Sequence, residues 1–69
     1  MKHKFYFMQS AMLSACEYDE ESKELTVTFA NGKDYVYEDV DKGVYDNLIS
    51  ADSAGRYFNS IKKELKVKR

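Results

Sequence analysis

The spacing of apolar residues changes character once along the chain, near Asp39. Before that point the pattern favours strands. Residues 4–9 are aromatic and β-favouring. Residues 12–18 read as a second strand, or as a continuation of the first after a kink at Ser10-Ala11. In residues 24–29 Leu25, Val27 and Phe29 alternate with polar positions, the period of a half-buried strand. Asn31-Gly32 is a strong hairpin signal, because both central positions of a type I′ turn need φ > 0. Residues 33–38 then form the returning strand. That turn places Thr28 opposite Tyr35 and Thr26 opposite Tyr37. It separates the two tyrosines from the face of Leu25, Val27 and Phe29, and a one-residue bulge would reverse the assignment.

After Asp39 the apolar positions follow a helical period. Asp41 is placed to cap a helix carrying Val44, Tyr45, Leu48 and Ile49 on one stripe, with Gly43 weakening its first turn. Residues 50–52 read as a break. Ser53 is a good N-cap for a second helix with Ala54, Tyr57, Phe58, Ile61 and Leu65 facing inward. The predicted architecture is α+β: an antiparallel sheet of three to four strands followed by two short helices, in a single domain over residues 1–69.

The order and spacing of these residues resemble the KTSC domain family. The similarity runs from about Leu13 to Lys62. It rests on Tyr18-Asp19, Leu25, Val27, Phe29, Gly32, Tyr35, Tyr37, Val40, Val44-Tyr45, Leu48, Ala51, Ser53, Gly55 and Tyr57-Phe58-Asn59. The chain departs from the family pattern at five places. Ser10-Ala11 stands for a serine pair, Glu17 for a glycine, Asp41 for a proline and Lys62 for an arginine, and Leu65 lies near the position of a tyrosine. Copies of this domain at the C-terminus of some lysyl-tRNA synthetases imply, by resemblance, an RNA-facing role.

The distribution of charge bears on that role more than the net of −1 does. Residues 1–52 hold five basic and eleven acidic side chains, a balance of −6. Residues 53–69 hold six basic (Arg56, Lys62, Lys63, Lys66, Lys68 and Arg69) against Glu64 alone, a balance of +5. A basic end on an acidic body is an electrostatic footprint for phosphate. It is also what a solvated helix C-terminus looks like.

Three features carry candidate chemistry. Tyr35 and Tyr37, two apart on a strand, could stack on unpaired bases or pack under the helices. Ser53-Ala54-Gly55-Arg56 opens a helix with a hydroxyl, free N–H groups and a guanidinium. That suits a phosphate or, more plainly, a structural cap. Asn59 could read a base edge or bond a nearby carbonyl, and Lys62, Lys63 and Lys66 would add charge. The expected function is a small non-catalytic module binding RNA or another phosphate-bearing ligand. Two alternatives are a protein-interaction module, such as a phage-encoded modulator using the edge strand at residues 4–9, and a small-nucleotide binder.

Composition removes several other classes. One cysteine, Cys16, and one histidine, His3, leave neither a disulfide nor a Cys/His metal cluster. They also give no nucleophile–base pair, so no enzyme activity, metal or cofactor is expected. No apolar run approaches the roughly 18 residues of a membrane span. A cytoplasmic protein follows from these readings. A core this small nets only about 3–5 kcal/mol, which makes a homodimer a natural expectation.

Overall fold

The computed structural model describes residues 1–8 and 10–68. Five antiparallel strands follow one another across a single sheet: β1 (Lys2–Tyr6), β2 (Leu13–Asp19), β3 (Glu24–Phe29), β4 (Asp34–Glu38) and β5 (Lys66–Val67). Two helices, α1 (Lys42–Ser50) and α2 (Ala54–Ile61), lie between β4 and β5 in sequence, and a 3-10 turn (Lys62–Glu64) follows α2. The α+β class is as predicted, with β5 added to the expected three or four strands. The first strand begins and ends earlier than residues 4–9, and Gln9 lies outside the described residues. Residues 13–19 form a separate strand paired antiparallel with β1, which decides between the two readings of that segment.

The β3–β4 turn corrects the predicted faces. The Phe29 amide donates to the Lys33 carbonyl at 2.8 Å, and the Gly32 amide donates to the Phe29 carbonyl at 2.9 Å. Ala30, Asn31 and Gly32 therefore form a three-residue loop. Gly32 takes φ +91°, the left-handed position of a glycine bulge. The Asn31 side chain accepts from the Lys33 amide at 3.0 Å, which tightens the loop. One extra residue moves the register by one, so Leu25 pairs with Tyr37 and Val27 with Tyr35. Both tyrosines turn to the aliphatic face, the reverse of the two-residue-turn expectation.

Both helices lie on that face. Leu13, Cys16, Tyr18, Leu25, Val27 and Tyr37 from the sheet meet Val40, Tyr45, Leu48, Ala54 and Phe58 in one buried cluster. Phe58 sits at its centre, edge-on to Phe29 at 5.6 Å and to Tyr37 at 5.8 Å between ring centroids. Tyr18 stacks on Tyr45 and donates its hydroxyl hydrogen to the Val40 carbonyl. This bond pins the β4–α1 connection to β2. The Val40 amide in turn donates to the Lys23 carbonyl at 2.9 Å.

Asp41 occupies the α1 N-cap position, but its side chain makes no capping bond and lies 3.8 Å from the Lys23 ammonium. Lys62 is the C-cap of α2 and Lys63 follows it in the 3-10 turn, so these two lysines stand at a helix end, whereas Lys66 and Lys68 lie on the extended segment beside β4. After Ile61 the chain tightens into the 3-10 turn and extends into β5, so Leu65 falls beyond α2 rather than on its inner face. Among the described residues no helix lies on the opposite face of the sheet. There Lys2 pairs across strands with Asp19, Lys4 with Glu17 and Lys66 with Glu38, so the edge lysines oppose inner carboxylates. No helix among the described residues is long and apolar enough to cross a membrane.

Candidate functional site

A cleft of about 560 Å³ opens where the β1–β2 connection meets the start of α2. Its position follows from local rules. The Ser10 hydroxyl accepts from the Met12 and Leu13 amides at 3.2 and 3.0 Å, turning the chain into β2. This turn holds Met12 against α2, where a Cβ added at Gly55 would lie 3.3 Å from the Met12 Cβ. Gly55 thus lets α2 and the β1–β2 connection approach closely, and the tight neighbour is Met12 rather than a residue of the preceding helix. Ser53 caps α2 by accepting from the Arg56 amide at 3.4 Å.

Ser53, Gly55, Arg56 and Asn59 all line this cleft, so four of the predicted site residues come together. The facing wall is Phe5, Phe7, Met8 and Met12. Arg56 and Asn59 are exposed, and neither makes a side-chain hydrogen bond or ion pair among the described residues. Asn59 therefore lacks the structural bond to a carbonyl that was one of its two readings. Asp52 is the one carboxylate on the cleft wall.

The remaining candidates are dispersed. Tyr37 is only 6% exposed, packed under Phe58, and presents no face to a base. Burial pushes its hydroxyl above the usual tyrosine range, with neighbouring Tyr35 adding to the effect. Tyr35 is 42% exposed and borders a second cleft of about 400 Å³ with Phe29, Lys33 and Met12. Lys62 and Lys63 project from the 3-10 turn, and Lys66 sits on β5 at the sheet edge opposite β1. The nine positions do not form one surface. Lys68, on the same C-terminal segment, is bound to Glu24, which raises its ammonium above the usual lysine range. Arg69 lies outside the described residues.

Cys16 is buried in β2, and burial pushes its thiol up to about 12. It remains a protonated core residue rather than a nucleophile. The cleft wall from the β1–β2 connection escaped sequence reasoning. Phe7, Met8 and Met12 read there as strand residues, and their approach to α2 depends on the Ser10 turn.

The sequence profile of the KTSC domain matches residues 9–64. A protein of Tsukamurella paurometabola is 36% identical over 56 residues, 81% of this chain and 84% of that protein. An uncharacterized protein of Stutzerimonas stutzeri is 43% identical over 56 residues, 81% of this chain and 79% of its own length. The crystal structure of a KTSC domain protein from Yersinia pestis superposes with a TM-score of 0.88. The match covers 100% of this chain and 97% of that one at 24% identity, so the fold is shared.

Proposed function

The chain belongs to the KTSC domain family, and within it we propose a small non-catalytic binding module for a phosphate-bearing ligand, with RNA as the first candidate. One observation carries the reading. Residues 53–63 contain no carboxylate, and their cations Arg56, Lys62 and Lys63 are exposed and enter no ion pair among the described residues. Elsewhere Lys23, Lys42 and Lys68 each have a carboxylate partner, and Lys2, Lys4 and Lys66, though not ion-paired, stand opposite Asp19, Glu17 and Glu38 across the sheet. A phosphodiester backbone following α2 from the cleft toward the 3-10 turn would meet Arg56 first and the two lysines next. Ser53 and Asn59 can add hydrogen bonds at the cleft end.

Because Tyr37 is buried, recognition on this reading uses charge and hydrogen bonding rather than a tyrosine stacking platform. A cytoplasmic setting suits a chain whose single thiol is free and buried.

The test is fluorescence anisotropy with a labelled single-stranded RNA and a tRNA at two salt concentrations. With three phosphates neutralised, the logarithmic salt slope for a single strand is about −2, so a fourfold rise in salt weakens binding about 20-fold. Reversing both lysines (Lys62→Glu with Lys63→Glu) abolishes binding; unchanged affinity in that variant refutes the proposal. Affinity independent of RNA length would identify a nucleotide as the ligand instead of a polymer.

A further inference from the structure

The pairing of β1 with β2 determines which backbone groups of β1 are left over. The Phe7 amide donates to the Ser14 carbonyl at 2.9 Å, and the Glu20 amide donates to the Met1 carbonyl at 3.1 Å. In an antiparallel ladder, bonded and non-bonded pairs alternate. His3 and Phe5 therefore also direct their amides and carbonyls toward β2. Lys2, Lys4 and Tyr6 direct theirs away from the sheet, where no strand stands. The free edge ends at the cleft, and Tyr6 (61% exposed) and Met8 (90%) stand open beside it.

Charge selects what can occupy this edge. Lys2 and Lys4 make no ion pair among the described residues, although Lys4 lies over the Tyr6 ring at 5.2 Å. A second copy pairing antiparallel through β1 about its centre would set Lys4 against Lys4. A copy offering its β5 edge would bring Lys66 to the same place. Asp19 and Glu17 stand on the inner side of Lys2 and Lys4 without forming an ion pair. Like charges directly opposed across strands are destabilising, so the outer side of the two lysines disfavours a basic strand and favours acidic residues.

We propose that β1 is a docking strand for an extended segment of a partner protein in which acidic and apolar residues alternate. The partner's backbone bonds to Lys2, Lys4 and Tyr6, its carboxylates lie beside the two lysines, and its apolar side chains fall on the helix-covered side beside Phe5. There they reach the Phe7 and Met8 wall of the cleft. Strand addition of this kind takes affinity from main-chain bonds and specificity from alternate side chains.

The test uses the intact protein and three synthetic peptides: one alternating Glu and Val, one alternating Lys and Val, and a Glu-Val peptide N-methylated at alternate residues. The Glu-Val peptide should bind and slow hydrogen exchange at the amides of Lys2, Lys4 and Tyr6. The Lys-Val and N-methylated peptides should bind at least 10-fold more weakly, as should the Glu-Val peptide to the protein with Lys2→Glu and Lys4→Glu. Equal binding of all three peptides overturns the proposal, as does no binding of Glu-Val. Protection appearing at α2 instead of β1 overturns it too. Failure here leaves the phosphate reading standing, because that reading depends on Arg56, Lys62 and Lys63.

Discussion

Replacing Tyr18 by Phe removes one oxygen and isolates a single interaction. The Tyr18 hydroxyl reaches the Val40 carbonyl across 22 residues of sequence, and both residues are at most 2% exposed. Deleting the hydroxyl loses a net bond of about 1 kcal/mol and leaves a buried carbonyl unpaired, for a total of about 2 kcal/mol. A core of this size supplies about 3–5 kcal/mol, so roughly half the stability is at stake. At about 4–8 °C per kcal/mol, the midpoint should fall by about 10 °C. Tyr37→Phe is the matched control. Tyr37 is also buried, but its hydroxyl makes no hydrogen bond among the described residues, and no buried side-chain polar atom is left unpaired. Its hydroxyl therefore keeps access to water, and its loss should cost less than about 0.5 kcal/mol. Urea and thermal unfolding followed by circular dichroism measure both. Equal losses in the two variants, or no loss in Tyr18→Phe, would refute the assignment of the β4–α1 anchor to this bond.

Alkaline pH should destabilise the fold through Cys16. Its folded pKa, pushed up to about 12 from 9.0, lies above the unfolded one, so its contribution is complete below about pH 9 and is lost as pH rises toward 12. Buried Tyr18, Tyr37 and Tyr45, all raised from 10.0, act with the same sign at higher pH. In Cys16→Ala, unfolding free energy should fall less steeply between about pH 9 and 10; an unchanged slope contradicts the thiol's role. Two glycine substitutions should move stability in opposite directions, as read by urea midpoints. Gly32→Ala forces a side chain to φ +91° and should cost about 1–2 kcal/mol. Gly43→Ala meets nothing within 4 Å in the first turn of α1 and should gain about 0.5–1 kcal/mol.

The strands and helices were legible wherever period and punctuation agreed. Leu25, Val27 and Phe29 announced β3, and Ser53 announced the start of α2. Asn31-Gly32 marked the turn but not its length. Glycine serves both a two-residue turn and the bulge of a three-residue one, and that single residue decides where Tyr35 and Tyr37 point. The C-terminal misreading has a similar cause. Leu65-Lys66-Val67-Lys68 alternates like a strand, yet its lysines also suit a helix, and only pairing with β4 settles the choice. The polar side of the cleft could be read from helix periodicity at Ser53, Arg56 and Asn59. Its apolar wall could not, because the approach of Met12 to Gly55 depends on a turn far from α2 in sequence.

The two ends of the sheet are unequal. β5 is two residues long and covers part of β4, so that side offers almost no ladder to a newcomer. On the β1 side three residues, Lys2, Lys4 and Tyr6, hold their backbone groups outward. Growth of such a sheet has one live end and one terminated end. A two-residue far edge on a neighbouring copy is a poor match for the three outward-facing residues of β1, which disfavours head-to-tail pairing of copies through these two edges. The five-strand order thus separates two features that sheet proteins often hold together, an open ladder at one edge and a matching ladder at the other.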